Sequence, residues 1–185
     1  MFGWLATRSL PLCSHAAPVA VSQRSRRIAP EAWIRALPGL GSVLYLHRTS
    51  RVPEDAVSPG ALVAHHHLAP LLDIHTLVTT SVITDDGPRE WLECLDRLGC
   101  TRARLHLLPD TDFLAWDALT ASCQPERHPP RACSWRPDRA AVMQFRLREL
   151  AGLALLEPGH SASLSPLSSG IAARIAQAES AVLLK

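Results

Sequence analysis

The residues of this 185-residue chain that can do chemistry gather in two short runs. In Ala61–Leu68, ALVAHHHL, a strand would project His65 and His67 from one face and His66 from the other. Two neutral imidazoles at that spacing can chelate zinc or another divalent ion, with His75 or His106 as a further ligand if the strands are neighbours. The competing reading is a polar strand face turned to water. Thr101–Leu107, TRARLHL, alternates strictly, with Ala103, Leu105 and Leu107 on one side and Arg102, Arg104 and His106 on the other. Guanidinium groups in such a row offer fixed paired donors to carboxylates, so this face suits an anionic ligand; again the alternative is a solvated outer face.

Positioning these groups takes a series of short elements. Pro30–Leu37 reads as a helix opened by Pro at its first position, with Trp33, Ile34 and Leu37 on one side, and Pro38-Gly39 stops it. Ser42–Arg48, Ala61–Leu68, His75–Ile83, Arg89–Asp96 and Thr101–Leu108 read as five strands joined by turns such as Asp85-Asp86-Gly87-Pro88. Short connections imply antiparallel pairing rather than βαβ units. Asp110 or Thr111 then caps a helix through Trp116 and Leu119, and Asp138 is expected to cap another to about Leu156, with Met143, Leu147, Leu150 and Ala154 as its apolar stripe. A last helix opens at Ser165-Pro166, with Leu167, Ile171, Ile175, Ala178 and Val182 in a row. The predicted class is α+β: a twisted antiparallel sheet of about five strands with flanking helices and a helical C-terminal part. The predicted organisation is a flexible basic arm over 1–29 (four Arg and no acid), a sheet domain over 30–123, a Pro/Arg-rich linker over 124–137 and a helical segment over 138–185 that packs on the sheet or on a partner.

Composition narrows the classes. A net charge of +2 gives nucleic-acid binding no electrostatic case, and no apolar run reaches the roughly 18–20 residues of a membrane-spanning helix. The five cysteines, Cys13, Cys94, Cys100, Cys123 and Cys133, are odd in number and form no CxxC pair, which argues against a zinc ribbon or a disulfide framework. Cys94 and Cys100 can approach each other across a hairpin, but reduced thiols are the expected state. A phosphate-cradling glycine loop, a serine elbow and an HExxH motif are all absent from the sequence, so enzyme chemistry has little support.

Three stretches together resemble the bacterial hemin-utilisation family, with its HemS-type and ChuX-type members. Trp33–Arg48, WIRALPGLGSVLYLHR, is similar to that family's short helix, "LPxLGxV" turn and strand ending near an Arg. Leu72-Asp73-Ile74-His75 is similar to its Asp-Leu-Arg strand start. Leu92, Leu95, Asp96, Gly99, Arg104, Leu107, Asp110, Asp112, Ala115 and Trp116 follow its pattern over a hairpin and the next helix start. The resemblance covers about residues 30–120 and implies a cytoplasmic heme-binding protein of iron acquisition, with Arg48 and Arg104 at basic positions that face a propionate. It departs where the family's proximal His is expected: that neighbourhood reads Val52-Pro53-Glu54-Asp55, and His75 stands where an Arg is expected. His65 and His67 are the nearest replacement ligands. The resulting expectation is heme transfer or storage, with heme held by His65, His67, His75, Arg48, Arg104 and His106 around one shared apolar hollow. Heme degradation follows from the resemblance alone. The alternatives are an interaction module that has lost heme, and a metal site at His65 and His67. A homodimer or protein partner would dock through the C-terminal helices.

Overall fold

Six consecutive positions of Gly41–His47, GSVLYLH, are buried. A strand of that kind has to be covered on both faces, and the rest of the chain is arranged to do so. In the computed structural model, which describes residues 21–49, 61–84, 87–126, 135–159 and 164–184, the elements run in order β1 (Val21–Arg27), α1 (Pro30–Ala36), a 3-10 turn (Leu37–Leu40), β2 (Gly41–His47), β3 (Ala61–Val63), a second 3-10 turn (His66–Leu71), β4 (Thr76–Thr84), β5 (Gly87–Leu95), β6 (Thr101–Thr111), α2 (Phe113–Ser122), β7 (Gln124–Pro125), β8 (Arg139–Leu150), β9 (Leu153–Gly159), α3 (Pro166–Ala178) and β10 (Val182–Leu184). They form one ten-stranded sheet in the order β3-β9-β8-β2-β6-β5-β4-β1-β7, with β10 beside β8. The β3–β9 and β8–β10 pairs are parallel and the others antiparallel, so the sheet is mixed.

This corrects the predicted class. Four of the five expected strands are there, the one expected over 61–68 is cut to Ala61–Val63, all five belong to a larger sheet, and the C-terminal part is not helical: 138–156, read as a helix, forms the hairpin β8–β9. The spacing of Met143, Leu147, Leu150 and Ala154 fits a helix, yet Phe145-Arg146-Leu147-Arg148 also alternates, and the open edge of β2 favours that second period. Asp138 caps nothing helical; its carboxylate accepts bonds from the Thr49 backbone N–H (2.8 Å) and hydroxyl (3.1 Å). Val21–Arg27, assigned to an arm, pairs with β4 along its whole length. Within 124–137, read as a linker, Gln124–Pro125 pairs with β1, and 127–134 lie outside the described residues.

Two cores follow from the two faces. On one side Trp33, Leu37, Leu40, Val43, Tyr45, Leu92, Leu105 and Trp116 pack under α1, α2 and the 3-10 turns. On the other, Leu44, Leu46, Leu108 and Ala140 pack under Ala172, Ile175 and Ala176 of α3. The helix face that meets the sheet is thus Ser168, Ala172, Ile175 and Ala176; of the predicted row, Ile175 is on it and Ile171 packs beside it, whereas Leu167 is exposed and Val182 belongs to β10.

The LPGLG turn owes its form to Gly41, whose φ is 68° and whose Cβ, were there one, would sit 3.3 Å from both Asp110 O and Asp112 N. Gly41→Ala is expected to lower stability by about 1–2 kcal/mol or more, from the left-handed backbone and the close approach. The β8–β9 loop is the opposite case. Ala151 (φ 50°) and Gly152 (φ 80°) form a two-residue turn with both φ positive, between the paired Leu150 and Leu153. Ala151→Asn supplies the residue such a turn prefers and is expected to raise Tm by about 2–4 °C, corresponding to about 1 kcal/mol, in thermal unfolding.

Candidate functional site

β5 and β6 are hydrogen-bonded only as far as Trp91 opposite His106. Beyond that pair, Gly87–Glu90 stay with β4, whereas Leu107 and Thr111 stay with β2, so the two strands part. Local chemistry explains the parting. The Leu108 N–H donates to Thr111 Oγ1 (2.8 Å), Pro109 has no N–H, and the Asp110 N–H donates to Ser168 Oγ of α3 (3.2 Å). Three successive residues of β6 therefore offer no free amide to a neighbouring strand. The gap becomes a cavity of about 780 Å³, within the range that holds a drug-sized ligand. His106, Leu107 and Leu108 line it from β6, Phe113 and Trp116 from α2, and Ile171, Arg174 and Ile175 from α3. The β4–β5 hairpin adds Val82, Ile83, Arg89 and Glu90. Glu90 links hairpin to helix, accepting bonds from Trp116 Nε1 (2.7 Å) and the Ser81 hydroxyl (3.2 Å).

His106 stands where the strands separate. Its ring stacks on Trp91 (centroids 5.4 Å apart, planes at 28°), it is 4% exposed, and neither Nδ1 nor Nε2 has a hydrogen-bond partner. Burial, with lesser contributions from the Arg104 and Arg89 cations, pushes its pKa down to about 3, so the ring is neutral throughout the physiological range.

The other predicted site residues lie elsewhere. His65–His67 are not on a strand: β3 ends at Val63, and His66 and His67 open the 3-10 turn. The His67 ring stacks against His47 (5.8 Å) and His65 (5.4 Å), and His47 stacks on Tyr45 (5.0 Å), whose hydroxyl donates to the His67 carbonyl (2.7 Å). Because Leu44 is opposite His106, Tyr45 and His47 point to the other face of the sheet. His65 and His67 therefore do not share a hollow with His106. Among the described residues no three His, Cys, Asp or Glu side chains converge as metal ligands. Arg104 does share the face of His106, but Glu93 (3.1 Å) and Glu179 (2.8 Å) bind its guanidinium, and Trp135 lies 5.2 Å away. His75 Nε2 has Asp73 Oδ1 at 3.0 Å and Arg97 Nε at 2.8 Å, and Arg48 is exposed just past the end of β2. Cys94 is a buried free thiol whose pKa burial raises strongly.

The sequence reading missed Arg89, Glu90, Trp116 and Arg174 as lining residues. Pro88 and Pro109, each beside a cavity residue, were the available sign that pairing fails there.

No family model matches the chain, and comparison with curated proteins yields no match. Solved structures do show a partial likeness. The similar structures are heme proteins. They include the heme-degrading enzyme ChuS of Escherichia coli O157:H7 (16% identity, TM-score 0.42), the heme-binding protein PhuS of Pseudomonas aeruginosa in its holo form (20%, 0.40) and ChuS described as an E. coli heme oxygenase (12%, 0.40). The matches cover 61–63% of this chain and 39–40% of theirs, so the chain spans about two fifths of the length of those proteins.

The depressed histidines make stability depend on pH. Burial lowers His47 and His67 as well as His106, His67 also through the neighbouring His47. Above the unfolded pKa of about 6.5 all three are neutral in both states; below it the unfolded chain takes up protons that the folded chain refuses, and stability falls. For His106 the loss continues towards pH 3, at about 1.4 kcal/mol per pH unit. Urea unfolding at pH 7 and pH 5 is expected to show about 2 kcal/mol lost through His106 alone, and His106→Phe is expected to remove that share.

Proposed function

We propose that this chain handles heme, holding it in the cleft between β5 and β6 for transfer or storage. The cleft itself carries the reading: a cavity of about 780 Å³ with aliphatic and aromatic walls, Arg89 and Arg174 beside the carboxylates of Glu90 and Asp117, and a buried imidazole without a partner. Those features fit a large flat molecule with an apolar body and acidic ends. When bound, heme supplies an iron that takes neutral imidazole as a ligand. The chain's own residues do the rest. Leu107, Leu108, Phe113, Ile171 and Ile175 take the ring system out of water, at roughly 25 cal/mol for each Å² of apolar surface covered. Arg89 and Arg174 set positive charge on the cavity wall for carboxylates. The sequence resemblance over residues 30–120 supports the same ligand and, by extension, a cytoplasmic role in iron acquisition. Among the described residues no helix is long and apolar enough to cross a membrane.

A second reading, an interaction module that has lost heme, draws on Arg104: its two carboxylate partners occupy the guanidinium that the resemblance assigns to a propionate. Hemin titration separates the two. A saturable Soret band with one heme per chain is expected, weakened at least about tenfold by Ile171→Trp, which fills the cavity. Absence of any saturable change, with the chain folded by circular dichroism, would leave only the second reading.

A further inference from the structure

We propose that His106 is the side chain that ligates the heme iron, in place of the His65–His67 cluster and of a histidine in the loop after β2; this rests on the heme reading of the cleft. The case begins with position. His106 is the last residue of β6 to face a partner on β5, so its ring sits at the apex of the gap and forms part of the cavity lining. The second point is the missing partner. Buried imidazoles in folded chains find hydrogen bonds, and one with both nitrogens bare marks a place where something other than the chain is to be bound. His47 is the other buried histidine with a bare nitrogen among the described residues, but it sits on the opposite face, its ring between those of Tyr45 and His67.

Third, the ring is oriented. Trp91 lies against it, and Arg104, whose guanidinium Glu93 and Glu179 hold, flanks it two residues along the same strand face. His106 thus has its ring held against Trp91 while the neutral imidazole keeps a lone pair. A purely structural role accounts poorly for these features, since Phe would stack on Trp91 and fill the same place without burying bare nitrogens. Those nitrogens are covered by the chain's own atoms. Ligation therefore requires the cleft's side chains to give way as the porphyrin enters, and the absorbance change on mixing is expected to resolve into an entry phase and a ligation phase.

The experiment uses the full chain with two probes, hemin and iron-free protoporphyrin IX, read by absorption, by electron paramagnetic resonance of the ferric complex and by porphyrin fluorescence. Wild type is expected to show an imidazole-ligated spectrum. His106→Phe is expected to lose that spectrum and to bind hemin about tenfold or more weakly, while its protoporphyrin IX affinity stays within about twofold. In His106→Gly, added imidazole is expected to restore the wild-type spectrum, and His65→Ala/His67→Ala is expected to leave it unchanged. An unchanged ferric spectrum in His106→Phe, with hemin still bound, would overturn the assignment and leave the heme reading standing. Loss of the spectrum in the His65/His67 variant would overturn it in favour of the other face. Failure of wild type to bind either probe would defeat the heme reading and this inference with it.

Discussion

The arrangement depends on a hydrogen-bonding constraint in one strand. From Leu108 to Asp110, β6 turns its N–H groups to the side chains of Thr111 and Ser168 or, at Pro109, has none. A strand next to it finds no amide donors over that stretch. β5 therefore follows β4 away from β6, and a ten-stranded sheet acquires a split near its middle. Flanked by α2 and α3, the split becomes a partly open cleft instead of a bare edge. The same threonine fastens β6 to β2, since the Thr111 hydroxyl donates to the Ser42 carbonyl at 2.6 Å. Opening the gap on one side of β6 and closing the ladder on the other are parts of one local network.

What surrounds the split gives it chemical character. One side of β6 points into the larger core under α1 and α2, and the other lies under α3. Arg104 and His106 are on the α3 side, in a row that would be a solvated face in a two-layer protein. Here the row is covered, and its members differ in how they tolerate that. Arg104 survives burial because Glu93 and Glu179 neutralise it, as a paired buried charge must be. His106 survives it by remaining unprotonated, at the cost of two unmet nitrogens. Arg104 leaves only Nε bare while its two Nη atoms hold carboxylates, whereas both ring nitrogens of His106 are bare, and that contrast singles out His106 as the group left for a ligand.

Much of the local structure was legible in the sequence, because turn and capping chemistry is local. Pro30 opens α1, Gly41 takes the positive φ that the LPGLG turn needs, and Ser165 caps α3 by accepting from the Ser168 N–H. The cap of α2 lies at Asp112, just past the two residues predicted, and accepts from Ala115 N. Strands β2, β4, β5 and β6 follow from β-branched and alternating runs. Residues 138–156 were misread because the sequence there satisfies two periods at once, and the choice depended on an open edge of β2 that no local signal reveals. The His65–His67 run was misplaced because a 3-10 turn begins at His66 and ends the alternation on which shared faces depend.

The candidate site was legible only in part. The alternation of TRARLHL put Arg104 and His106 on one face correctly, but the character of that face depends on a helix some sixty residues further on. α3 comes close to the sheet through small residues, Ser168, Ala172 and Ala176, which carry little hydrophobic signal of their own. The split rests on pairings that fail to form, and sequence patterns report pairings that do. The most direct test of the account is a crystal structure of the chain with hemin. The account requires porphyrin density between Arg89–Glu90 and Leu107–Pro109, with the His106 ring turned to the metal. Density against the His65–His67 turn, or a β5–β6 gap zipped shut by further backbone pairing, would contradict it.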